Sequence, residues 1–180
     1  MIQHGTGTNP VHLPGYDVSD PRKFSRRYTA SAEERARITF AWNGKHAEEF
    51  QDANDAFRQQ VLEVVLADVR AAPIELVRDL YDAETAHAKE AWGVNTEAVR
   101  SLAEELLTRG GPEFVEDYLR GKLGRGMDAF CASYFDCPRE LAERLLTEVD
   151  RRLGTGTSDH RKQLLEAGRD IFRSWIDNAT

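Results

Sequence analysis

Along most of this chain, apolar positions recur every three or four residues, the spacing that gives an α-helix one apolar stripe. The clearest case is Pro73–Gly93, PIELVRDLYDAETAHAKEAWG. Ile74, Val77, Leu80, Tyr81, Ala88, Ala91 and Trp92 fall on one side, and Glu75, Arg78, Asp79, Asp82, Lys89 and Glu90 on the other. Pro73 suits a first helical turn, where its missing N–H costs little, and Gly93 suits the residue just past the end. Two residues break the pattern. Glu84 lies within the apolar face and His87 on its edge, three positions apart and therefore neighbours on a helix.

The same spacing organises the rest of the chain. Ser31-Ala-Glu-Glu34 reads as a capping box opening a short helix through Ile38, Ala41 and Trp42 to a stop at Asn43-Gly44. The rival is a strand over Ile38–Trp42 turning at Asn-Gly, set aside because no convincing partner strand follows. Lys45–Ala71 is expected to be the longest helix, with His46, Phe50, Ala53, Asn54, Phe57, Val61, Val64, Val65 and Asp68 on one face. Asp68 is then a second acid aimed at the core side. The tight Ala71-Ala72-Pro73 link makes this helix an antiparallel neighbour of the next, with Glu84 opposite Phe57 and Val61, and His87 near Asn54.

Asn95 caps a helix carrying Val99, Leu102, Ala103, Leu106 and Leu107. Pro112 to about Leu123 buries Phe114, Val115, Tyr118 and Leu119. Met127, Phe130, Cys131 and Tyr134 form one face of a short aromatic segment expected to plug the core. Pro138 begins a helix with Leu141, Ala142, Leu145, Leu146, Val149 and Leu153 that ends at Gly154. Ser158 caps the last helix, whose stripe of Leu164, Leu165, Ile171, Phe172, Trp175 and Ile176 includes Gly168, a place for a close helix approach. Residues 1–30 contain Gly5, Gly7, Pro10, Pro14, Gly15 and Pro21 and have no sustained period; Val11, Leu13, Tyr16, Phe24 and Tyr28 could dock this segment on the body. The expectation is an all-α fold: an irregular N-terminal arm over 1–30, then a single bundle-like helical domain over 31–180 with about seven helices.

Composition narrows the function classes. The apolar fraction is 41% and the mean hydropathy −0.57, values that long helices with one wet face produce. No apolar run approaches the roughly 18 residues a membrane span needs, and no charged-then-apolar leader opens the chain, so a cytoplasmic protein is expected. Two cysteines make no disulfide framework, and both are expected reduced. Of the net charge of −7, the first 30 residues contribute +2 (Arg22, Lys23, Arg26 and Arg27 against Asp17 and Asp20), which leaves −9 on the body. Such a body repels phosphate backbones, so nucleic acid is disfavoured as a partner.

Three functions are compatible with these residues. The first is an acidic helical interaction protein (adaptor, assembly subunit or inhibitor) without catalytic activity of its own. Its partner is another protein or a second copy of the chain, with Arg22, Lys23, Arg26 and Arg27 as candidate contacts. The second is a metal-binding or metal-dependent oxidoreductase bundle. Glu84-x-x-His87 resembles the ligand pair that ferritin-like di-iron and di-manganese bundles place on facing helices, which implies iron or manganese with Glu84 and His87 as ligands. The third is a small-molecule-binding regulator using the aromatic region around Tyr81, Trp92, Phe130 and Tyr134. No nucleophile-elbow motif and no histidine beside a plausible nucleophile is present to favour catalysis.

Overall fold

The computed structural model describes residues 19–91, 93, 95–155 and 158–178. Among them it is all-α, with nine α-helices and no strand. The helices are α1 (Pro21–Arg27), α2 (Ala32–Ile38), α3 (Asp55–Ala67), α4 (Ile74–Glu90), α5 (Thr96–Thr108), α6 (Val115–Gly124), α7 (Met127–Ala132), α8 (Arg139–Leu153) and α9 (Asp159–Asn178).

Local chemistry sets most of the helix starts. Asp20 accepts from the N–H groups of Arg22 and Lys23 and places Pro21 in the first turn. For that reason Pro21–Arg27, within the segment read as irregular, is helical. Phe24 and Tyr28 are buried, and Phe24 packs edge-on against Phe57. Ser31 and Glu34 form the expected capping box, and Asn95 caps α5 through the Ala98 N–H. Val11, Leu13, Tyr16 and Trp92 lie outside the described residues.

One expected helix is replaced. Lys45–Asn54 does not continue α3; it returns along the segment after α2. Trp42 and Asp52 form an antiparallel bridge, with Asn43 N–H to the Gln51 carbonyl at 3.1 Å and Ala53 N–H to the Ala41 carbonyl at 3.1 Å. Gly44 takes φ +77° in this turn, so the Asn-Gly reading set aside above describes the local geometry better than a long helix does. The longest helix is α9. Asp68, expected to face the core, is exposed at the C-terminal end of α3, where the chain leaves helical geometry.

The core gathers around α6, which packs against α4, α5, α7, α8 and α9. Two glycines allow the closest approaches. A Cβ at Gly121 would overlap the Tyr81 ring of α4, and one at Gly168 of α9 would overlap the Leu119 side chain. The close approach expected at Gly168 is therefore present. α8 and α9 form an antiparallel hairpin in which Arg139, at the start of one, reaches the Ile176 carbonyl near the end of the other.

Candidate functional site

Two regions bury a positive charge, and they do so differently. The first lies between α3 and α4. Arg58 sits on the same helical face as Val61, Leu62 and Val65 and is completely buried. Its Nε donates to Glu84 Oε1 at 2.7 Å, and its Nη2 lies 2.7 Å from Asp52 Oδ2 and 3.2 Å from Asp55 Oδ1. Gln59 adds a donor to Glu84 at 3.2 Å. Asp52 also accepts from the N–H groups of Ala41 (3.0 Å) and Asn54 (3.1 Å), which ties the 41–54 turn to the helices. Burial opposes the charge on Asp52, but the Arg58 hydrogen bond and these two N–H groups outweigh it and hold the carboxyl below its ordinary range. Burial likewise opposes the charge on Arg58, and Asp52 and Glu84 outweigh it in raising the guanidinium. Nη1 of Arg58 is buried without a hydrogen-bond partner among the described residues.

This geometry places the two sequence-derived metal candidates in different surroundings. Glu84 turns its oxygens to Arg58 and Gln59. His87, half-buried, packs edge-on between the rings of Phe40 and Phe50. Among the described residues, the ligand-type atoms that converge are those of Asp52, Asp55 and His87, all within 4.8 Å of one another. Both aspartates already pair with Arg58. A cation there would share its carboxylates with a guanidinium, which opposes divalent-ion binding by charge repulsion.

The second region lies at the other side of α6. Lys122 follows Val115, Tyr118 and Leu119 on the apolar stripe and is 2% exposed. Its Nζ donates to the Phe130 carbonyl at 2.7 Å and stands 4.2 Å from the centroid of the Phe130 ring. Among the described residues no carboxylate pairs with it within 4.0 Å. Burial pushes its pKa down to about 8.

Lys122 lines a groove of about 1280 Å³ between α7, the 133–138 segment and the start of α8 on one side and α9 on the other. Phe130, Tyr134, Phe135 and Trp175 supply its rings. Trp175 meets Phe135 at 5.5 Å and Tyr134 at 6.4 Å, both edge-on. Asp136, Glu140, Asp170 and Arg139 stand exposed around it.

The groove exists because α7 is turned opposite to expectation. Met127, Phe130 and Tyr134 do not plug the core; they are 72%, 38% and 51% exposed, and Cys131 is exposed with them. The buried face is the small one, Ala129, Ala132 and Ser133, followed by Phe135. Polar bonds select it. The Tyr81 hydroxyl donates to Ser133 Oγ at 2.8 Å, Ser133 Oγ donates to the Ala129 carbonyl at 2.7 Å, and the Tyr118 hydroxyl donates to the Ser133 carbonyl at 3.0 Å. These bonds anchor the end of α7 to α4 and α6, and small residues let it come close. Tyr81, one of the four aromatic candidates, thus lies in the core as support for the groove, whereas Phe130 and Tyr134 line it. Both cysteines are free thiols, and burial pushes that of Cys137 up to about 11.

The basic residues Arg22, Lys23, Arg26 and Arg27 are all exposed on α1, away from both buried charges in the sequence. Neither Arg58 nor Lys122 stood out from motif reading. The available signal was phase: each occupies an apolar-stripe position four and seven residues from buried aliphatic or aromatic neighbours. No helix among the described residues is long and apolar enough to cross a membrane. Comparison with protein-family models, with curated proteins and with solved structures gave no match to this chain.

Proposed function

We propose that this chain is a helical binding protein for a small organic molecule, with the α7–α9 groove as its site. One observation carries the reading: Phe130 of α7 and Tyr134 just after it are held outward at a cavity of about 1280 Å³ while the small residues Ala129, Ala132 and Ser133 face the core. Small-molecule sites commonly have volumes of roughly 300–1,000 Å³, so the groove has room for a drug-sized ligand. Exposed aromatic and thioether side chains beside such a groove are apolar surface that an occupant would remove from water.

A Tyr134→Ser variant tests this directly. Tyr134 is half-exposed and sits at the groove, so the fold should tolerate the change while an apolar fluorescent probe loses affinity. Unchanged probe binding by Tyr134→Ser would contradict the proposal.

The second reading is the acidic interaction protein, with a partner's apolar side chain entering the same groove. Met127 favours it, because it extends the apolar surface beyond the residues that line the cavity. Met127→Ser separates the two: it should weaken a protein partner and leave a small ligand unaffected.

A further inference from the structure

The structure assigns Lys122 as the polar anchor of this groove, and we infer that the molecule it selects is an apolar, ring-sized monocarboxylate whose carboxylate meets the Lys122 ammonium. This inference rests on the groove being a ligand site.

Lys122 has hydrogen-bonding capacity that the described residues do not use. An ammonium carries three N–H donors. For Lys122, the Phe130 carbonyl takes one, and the Phe130 ring offers its face. No carboxylate among the described residues offers more. Lys122 is 2% exposed and yet lines the groove, so the groove is its route to a further partner. Its position is also fixed, because Gly121 seats α6 directly against the Tyr81 ring. An ammonium in such surroundings is a preformed site for an anion, and a charge-assisted bond there is stronger than the same bond in water.

The rest of the groove limits which anion. Phe130, Tyr134, Phe135 and Trp175 provide ring faces and edges for a flat apolar body. Asp136, Glu140 and Asp170, against Arg139, give the exposed rim a negative balance. Solvent screens that rim, but a phosphate with two charges would still meet repulsion at the mouth and find one cation inside. A single carboxylate on an apolar body matches one buried ammonium.

The test is calorimetric titration at pH 7 with 2-naphthoate and with its neutral counterpart 2-naphthalenemethanol, and with phenyl phosphate as the mostly dianionic phosphate probe. The expected result is that wild-type protein prefers the acid over the alcohol by roughly tenfold or more, and that phenyl phosphate does not bind. Lys122→Met should lose the preference while binding the alcohol as wild type does. Lys122→Gln should behave alike and serves if the methionine variant does not fold. Equal affinity of wild type for acid and alcohol, with the alcohol lost in Tyr134→Ser, would overturn the role of Lys122 and leave the groove standing. A preference that persists in Lys122→Met, or tight binding of phenyl phosphate, would also overturn it. Binding of neither naphthyl probe to wild type would overturn the reading of the groove itself.

Discussion

Arg58 and Lys122 are both buried cations on apolar helical stripes, yet their surroundings are opposite. Arg58 meets three carboxylates, with Asp52 and Glu84 at 2.7 Å and Asp55 at 3.2 Å, and its charge is favoured. Lys122 meets a carbonyl and a ring, and its charge is disfavoured. The first joins three pieces of chain: the 41–54 turn, α3 and α4. The second ties α6 to α7 through that single carbonyl, and it lines a groove. The contrast separates a charge that the fold uses internally from one that is left for something else to complete.

Removing each charge should therefore move stability in opposite directions. Arg58→Met would leave Asp52 and Glu84 buried together without their counter-charge. A loss of about 3–5 kcal/mol is expected in urea unfolding, since breaking a buried pair from one side exposes the full desolvation cost. Lys122→Met should instead stabilise. The unfolded lysine titrates at about 10.5 and the folded one at about 8, so between those values the unfolded chain holds the extra proton. Wild-type stability should then rise with pH across that window, and below pH 8 the charged lysine costs the fold as much as about 3 kcal/mol. Lys122→Met should melt higher than wild type at pH 7, with the gap closing by pH 10.5. A methionine variant less stable than wild type at pH 7 would erase the distinction between the two cations.

Smaller changes sharpen the comparison. Gly121→Ala forces a methyl into the Tyr81 ring and should cost roughly 1–3 kcal/mol. It should also alter the Lys122 environment while leaving the Arg58 cluster intact, which can be followed in the aromatic signals of Phe130 and His87. Tyr134→Ser should change the denaturation midpoint least, by an equivalent of about 0.5 kcal/mol or less, because its side chain is half outside the fold. A large loss of stability there would mean that α7 depends on the ring, contrary to its buried small face.

Helix periodicity went far in this chain, and its failures have physical causes. The pairing of α3 and α4 across Ala71–Pro73 put Glu84 opposite Phe57 and Val61. Arg58, lying between those two, is the residue that meets it. The break at Glu84 thus pointed to a real polar site, even though its partner is an arginine. The 45–54 segment misled because its spacing fits a helix, while its geometry depends on hydrogen bonds to residues 41–43 from eight or more positions away. α7 misled for another reason. Six residues show which side chains share a face but not which face is buried, and here bonds from Tyr81 and Tyr118 decide. Lys122 was hidden by habit of residue type: a lysine is normally assigned to the wet face, yet its phase with Val115, Tyr118 and Leu119 puts it on the dry one.

The most direct test of this account is the titration of the Lys122 ammonium itself, followed by NMR of the lysine side chains in wild-type protein. For Lys122 a midpoint near pH 8 is expected, well below the ordinary lysine value of about 10.4. A Lys122 signal that titrates near the ordinary lysine value of about 10.4 would show that its charge is compensated and would remove the contrast on which the role of Lys122 stands.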